Sequence, residues 1–159
     1  MRSRFVRSLI TFLDRFGSEE NDTPQHLATG RKGERDAHFF LREAGYVVVG
    51  RNWRVPERKG EIDLIAWDGE VLCFVEVKTR TTREVKPAEA AVDGDKQREL
   101  RGMARAYLRR LVRRRNRGSM KDSRSANPAV RFDIVSVYYD GNRDEATEIH
   151  LFRNAFPMA

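Results

Sequence analysis

Residues 61–79 read EIDLIAWDGEVLCFVEVKT. Two β-rich runs, EIDLIAW and VLCFVEVKT, flank the turn signal Trp67-Asp68-Gly69-Glu70, which predicts an antiparallel hairpin. With Asp68-Gly69 as the two-residue loop, facing residues have numbers that sum to 137, so that Glu61 faces Glu76, Asp63 faces Phe74 and Ile65 faces Leu72. Side-chain alternation sets 61, 63 and 65 on one face with 72, 74, 76 and 78. The other face, Val71, Cys73, Val75 and Val77, reads as core. Glu61, Asp63, Glu76 and Lys78 thereby converge at the end of the hairpin away from its turn. Leu72 and Phe74 precede Glu76 and Lys78 on that face, so it is expected to be covered rather than open to water.

Like charges facing each other on a sheet are destabilising, and charges on a covered face need compensation. Such carboxylates shift their pKa, recruit a cation or pair with the lysine. An oxygen-rich site of this kind suits Mg²⁺ or Mn²⁺, which take one or two carboxylates with waters and a substrate phosphate. A lysine two residues from a ligand carboxylate can orient a water or stabilise developing charge. These residue types favour metal-assisted phosphodiester hydrolysis. The plainer reading, cross-strand ion pairs on a solvated face, stands beside it.

Outward from the hairpin, GRKGERDAHFFLREAGY (30–46) predicts a helix with Ala37, Phe40, Leu41 and Ala44 on one face, stopped by Gly45. YVVVGRNWR precedes the hairpin as a further strand. Pro87 to about Arg115 is helical, with an interruption at Asp93-Gly94-Asp95. Residues 116–129 read as a loop, and VRFDIVSVYY and TEIHLF as the last two strands. The order α-β-β-β-α-β-β fits a mixed sheet flanked by helices. Residues 1–16, MRSRFVRSLITFLDRF, predict an amphipathic helix that packs on the domain rather than lying on a membrane, and 17–29 a polar linker. The expected division is thus 1–29 as helix and linker, and 30–157 as one folded domain.

The chain has 159 residues and a net charge of +7, but nine arginines and one acid fall within 98–117, so that segment carries +8 and the rest −1. It is a near-neutral body with one basic element. On a helical wheel Leu100, Ala104, Tyr107, Leu108 and Leu111 form the inner side. Arg98, Arg101, Arg105, Arg109 and Arg113 form the opposite stripe, either a solvated face or a contact for phosphate backbone, and we expect the latter. Phosphate contacts position a nucleic acid without reading it, so binding is expected to select structure rather than sequence. Trp53 and Tyr107 are expected to pack in the core. His26, His38 and His150 are scattered, and the single Cys73 forms no internal disulfide, which suits a reducing, cytoplasmic setting. No run of about 18 apolar residues is present, which argues against a membrane span.

Asp63 followed after the hairpin by Glu76-Val77-Lys78 resembles the D…(D/E)-x-K signature of the PD-(D/E)XK nuclease superfamily. Gly33-Glu34, Asn52-Trp53-Arg54, GEIDLIA (60–66), FVEVKTR (74–80) and Asn154-Ala155-Phe156 resemble, more closely, the YraN-type family of predicted endonucleases. The layout is similar to archaeal Holliday-junction resolvases. Ile62 stands where the superfamily often has Pro, and Gln97 is followed by Arg101 rather than the Tyr of the RecB-like branch, although Lys96 and Gln97 can still face the site.

The resemblance implies a restriction-endonuclease-like core, a mixed β-sheet flanked by α-helices, here with an N-terminal amphipathic extension. It implies Mg²⁺ or Mn²⁺ held by Asp63, Glu76 and the Val77 carbonyl, with Lys78 near the attacking water. Glu34 looks like an additional metal-side acid; it reads equally as an acid favoured at a helix N-terminus. Glu61 is expected to touch a ligand or pair with Arg54. Arg80 and Lys96, with the arginine stripe, are the expected nucleic-acid contacts. The expected partner is DNA rather than RNA, the substrate structured or branched, the pathway repair or recombination, and a homodimer is compatible with both the stripe and the N-terminal helix. The alternatives are a nucleic-acid-binding module of the same fold without turnover, and a scaffold whose arginines meet an acidic protein.

Overall fold

A computed structural model describes residues 25–80, 92–117, 127–140 and 145–158. The elements run α1 (Gln25–Glu43), β1 (Val47–Trp53), β2 (Ile62–Asp68), β3 (Val71–Arg80), α2 (Gly94–Asn116), β4 (Ala129–Tyr139) and β5 (Ala146–Phe156). The expected order of elements is present. The N-terminal amphipathic helix, the helical residues expected at 87–91 and most of the loop expected at 116–129 lie outside the described residues. Among the described residues no helix is long and apolar enough to cross a membrane.

The five strands form one mixed sheet in the order β1-β2-β3-β4-β5. All neighbours are antiparallel except β3 and β4, which run parallel from Val71↔Ala129 to Arg80↔Tyr138. A parallel pair needs a long crossover. The chain segment that carries α2 makes it, and α2 covers one face of the sheet. There Leu100, Met103, Ala104 and Leu111 bury themselves on Ile65, Trp67, Leu72, Phe74, Phe132 and Ile134. On the other face Ala37 and Leu41 of α1 meet Leu64, Ala66, Cys73, Val75, Val135 and Val137. Both faces of β3 are therefore covered, which is why its run is apolar on both sides.

The first helix starts earlier than its glycines suggest, at Gln25, so residues 25–29 belong to it and not to a linker. Gly33 does not break the helix; it permits an approach. A Cβ there would overlap the Thr79 side chain, so α1 sits directly against β3. At its end Gly45 takes φ 90°, Tyr46 N–H bonds the Leu41 carbonyl at 2.9 Å and Gly45 N–H the Arg42 carbonyl at 3.1 Å, a Schellman stop. Ala44, past the end of the helix, is exposed rather than packed.

Candidate active site

The hairpin is present with a different register. Asp68 pairs with Val71 and Ile65 with Phe74, so facing numbers sum to 139 and the loop is Gly69-Glu70. Gly69 takes φ 58°, the left-handed conformation that the first residue of a II′ loop requires. Asp68 stays in the strand, where its carboxylate accepts a hydrogen bond from Arg131 at 2.8 Å. The shift is two residues, so the faces are as expected, but the partners change. Glu61 does not face Glu76; it pairs with Arg54 at 2.7 Å, one of the two roles expected for it.

The β2–β3 register ends at Leu64↔Val75. Beyond it, the Val77 N–H donates to Asp63 Oδ2 at 2.7 Å, so a side chain takes the place of a strand carbonyl. Asp63 is thereby fixed beside Glu76 at the mouth of the hairpin. Only 9% of Asp63 and 5% of Glu76 is exposed. Burial, and then the neighbouring Glu76 charge, push the Asp63 carboxyl up to about 7; Glu34 adds to this, while the Val77 amide and Lys96 oppose it.

Each oxygen of Glu76 faces an ammonium. Oε1 accepts from Lys78 Nζ at 2.9 Å. Oε2 is buried with no hydrogen-bond partner among the described residues, and lies 3.6 Å from Lys96 Nζ. Lys96 comes from the first turn of α2, where Asp93 is the N-cap: Asp93 Oδ1 accepts the Lys96 N–H at 2.8 Å. The interruption expected at 93–95 is thus the helix start. Lys96 Nζ also donates to Glu99 Oε1 at 3.0 Å. Burial lowers its pKa, but Glu76, Glu99 and Asp63 more than offset this, so it is raised overall.

Glu34 arrives from the other face of the sheet, carried in by the close approach at Gly33. Its Oε2 accepts from Asn52 Nδ2 at 2.6 Å. Asn52 takes φ 44°, a left-handed conformation that Asn tolerates better than most residues. Glu34 is thus near enough to raise Asp63 yet held by Asn52. Among the described residues no group of three or more His, Cys, Asp and Glu side chains stands at metal-holding spacing. Asp63 and Glu76 are two carboxylates side by side, the kind of donor that a hard divalent ion takes together with waters. The Glu76 oxygen that lacks a hydrogen bond and the raised Asp63 carboxyl are the features such an ion would relieve.

The structure divides the expected nucleic-acid contacts. Lys96 turns into the carboxylates, away from the arginine stripe. Arg98 pairs with Asp95. Arg101 Nε donates to the Pro157 carbonyl at 2.9 Å and Arg105 reaches the Met158 carbonyl at 3.5 Å, tying α2 to the segment after β5. Arg109 and Arg113 are exposed, and Arg80, at the end of β3, is half-buried with an Nε that finds no hydrogen-bond partner among the described residues. Trp53 and Tyr107 pack edge to face with centroids 5.2 Å apart, as core residues.

Sequence reasoning left Lys96 open to face the site, where it meets Glu76, but missed Glu99. The signal available was K-x-x-E in the first turns after an Asp cap, which places both side chains on one helix face. It also missed two buried carboxylates outside the site, Asp36 on α1 and Asp133 on β4.

The profile of the uncharacterised protein family UPF0102 matches residues 33–137, a span that contains Glu34, Asp63, Glu76, Lys78 and Lys96. A UPF0102 protein of Koribacter versatilis is 48% identical over 155 residues, covering 98% of this chain and 96% of that protein. A UPF0102 protein of Solibacter usitatus is 45% identical over 127 residues, covering 80% of this chain and 84% of its own. Another from Symbiobacterium thermophilum is 42% identical over 127 residues, covering 80% and 94%. The chain belongs to the UPF0102 family, the YraN-type family that its motifs resemble.

Proposed function

We propose that this chain is an Mg²⁺- or Mn²⁺-dependent endonuclease with a restriction-endonuclease-like core. It hydrolyses phosphodiester bonds in structured or branched DNA, in the cytoplasm, during repair or recombination. The observation that carries this reading is the buried Asp63–Glu76 pair with an unsatisfied Glu76 oxygen and Lys78 at 2.9 Å from the other. The D…E-x-K pattern in which these residues stand supports it.

Asp63 and Glu76, with the Val77 carbonyl, hold the ion. When bound, it supplies Lewis-acid stabilisation of the phosphate and a lowered water pKa. Lys78 does the rest of the polar work: its ammonium hydrogen-bonds Glu76 and is the donor available to orient an attacking water or meet developing negative charge. Glu34, held by Asn52, adds negative potential at Asp63. Arg80 and the exposed arginines of α2 supply sequence-independent phosphate contacts.

The test is cleavage of labelled duplex, single strand, flap, four-way junction and structured RNA with Mg²⁺, Mn²⁺ or EDTA. Wild type is expected to cut a branched substrate only with metal. Asp63→Ala is expected to abolish cutting, and Lys78→Ala to slow it about 10²–10³-fold, with binding kept in both. Cutting that survives both substitutions would overturn the proposal. One observation favours a second reading, a binding module without turnover: Lys78 and Lys96 already flank both oxygens of Glu76. Salt-sensitive binding with no cutting and no response to metal would select it.

A further inference from the structure

Lys96 is the group that the nuclease reading leaves unused. It lies 3.6 Å from the Glu76 oxygen that lacks a hydrogen bond, and its own hydrogen bond goes to Glu99 at 3.0 Å. The ammonium is therefore shared between a carboxylate of the site and one on its own helix. The loop entering β2 passes close against Glu99. Gly60 takes φ 86° there, and a Cβ on it would overlap the Glu99 carboxylate. Glu34, Asp63, Glu76 and Glu99 against Lys78 and Lys96 give a formal charge of −2 with every group ionised, the charge that one divalent ion cancels. A second cation entering beside Asp63 and Glu76 meets repulsion from Lys96, and Glu99 is the partner positioned to take that lysine away.

We propose that Lys96 is the resident counter-cation of this site: its ammonium, hydrogen-bonded to Glu99, also offsets Asp63 and Glu76 when no divalent ion is bound, and gives up Glu76 to stay with Glu99 alone when one binds. Metal affinity is then set by the Lys96–Glu99 pair, and metal entry is coupled to the first turn of α2. The inference rests on the metal-dependent reading above and goes beyond it.

The experiment is a titration of the full chain with Mn²⁺ alone, free ion being followed by electron paramagnetic resonance. Lys96→Gln removes the competing charge and is expected to tighten binding about tenfold. Glu99→Gln keeps an acceptor but leaves Lys96 no second carboxylate, and is expected to weaken binding several-fold. Lys96→Arg keeps the charge and is expected to stay near wild type, which separates charge from packing. Asp63→Asn is expected to abolish binding in each background. Binding lost in Asp63→Asn but unchanged or weakened in Lys96→Gln would overturn the counter-cation while leaving the metal site standing. Absence of Mn²⁺ binding in wild type and all variants would overturn the metal-dependent reading and this inference together.

Discussion

Glu76 and Asp133 are buried carboxylates on the parallel pair β3 and β4, one residue apart in its register and on opposite faces of the sheet. Their surroundings differ in kind. Asp133 is fully buried and saturated: Arg131 grips both oxygens at 2.8 and 2.9 Å, and the Asn154 N–H donates at 2.9 Å. Asn154 reaches it from a left-handed backbone, φ 54°, and Tyr46 adds a contact at 3.4 Å. Arg131 is itself shared with Asp68 and the Tyr46 hydroxyl, each at 2.8 Å. Glu76 has two lysines, one oxygen without a hydrogen bond, and a second carboxylate beside it that does not ionise readily. The lesson is that burial and charge alone do not mark a working site. Asp133 closes its accounts within the fold, whereas Asp63 and Glu76 leave unmet demand of the kind the proposed cation would satisfy.

The contrast breaks most visibly at Asp133. Asp133→Ala leaves the half-buried Arg131 with its main partner gone and the Asn154 N–H without its acceptor, and is expected to cost about 3 kcal/mol in urea denaturation. Arg131→Met with Asp133→Leu removes both charges and is expected to recover most of that loss. Asp63→Asn removes a charge that is uncomfortable where it sits, so at neutral pH and without metal it is expected to stabilise the chain. A similar loss for Asp133→Ala and Asp63→Asn would show that the two centres are structural alike.

Proton linkage sharpens the comparison, because the two centres respond to pH with opposite sign. Asp63 is raised from 3.8 to about 7, so the folded chain holds its proton more tightly than the unfolded chain. Its contribution to stability is full below the ordinary value and is lost as pH rises through about 7. The expected slope in that window is up to about 1.4 kcal/mol per pH unit. Asp68, in the closed network, is lowered chiefly by its hydrogen bond from Arg131. Its contribution is present above the ordinary carboxylate value and is lost as the solution is acidified through its depressed pKa. Denaturation of the metal-free chain across pH 4–8 is expected to show the first slope, and Asp63→Asn to flatten it while leaving the acid limb in place. A slope unchanged in Asp63→Asn would assign it to another group.

Much of this was legible in the sequence, for definite reasons. Strands and helices follow from periodicity, and the faces of the hairpin survived a two-residue error in register because alternation has a period of two. The error itself came from Asp68. Asp-Gly reads as a loop, but Arg131, more than sixty residues away in sequence, holds Asp68 in the strand. The end of the β2–β3 pairing at Leu64↔Val75 was equally invisible, since the Val77 amide must choose between a carbonyl and the Asp63 side chain. Asp133 was hidden for the same reason. Within VRFDIVSVYY it is one polar residue among apolar ones, and its partners Tyr46 and Asn154 come from the far ends of the domain.

The arginines of α2 repeat the distinction on a smaller scale. Arg101 and Arg105 reach the carbonyls of Pro157 and Met158 and so help tie the chain end to the helix, while Arg109 and Arg113 are exposed. A carbonyl contact does not neutralise a charge, so all four still contribute to the field along the helix. Only the second pair, however, can meet phosphate without giving up a contact within the fold. Arg109→Ala with Arg113→Ala is expected to change stability by less than about 0.5 kcal/mol, yet to lower the salt slope of duplex DNA binding by roughly one per lost contact. Arg101→Ala with Arg105→Ala is expected to cost measurable stability as well, with a smaller change in that slope. Salt-dependent binding of the two double variants, beside their melting temperatures, separates charges the fold has already used from charges it leaves for a partner. Equal slopes would mean that the stripe acts as a general field, with no division along its length.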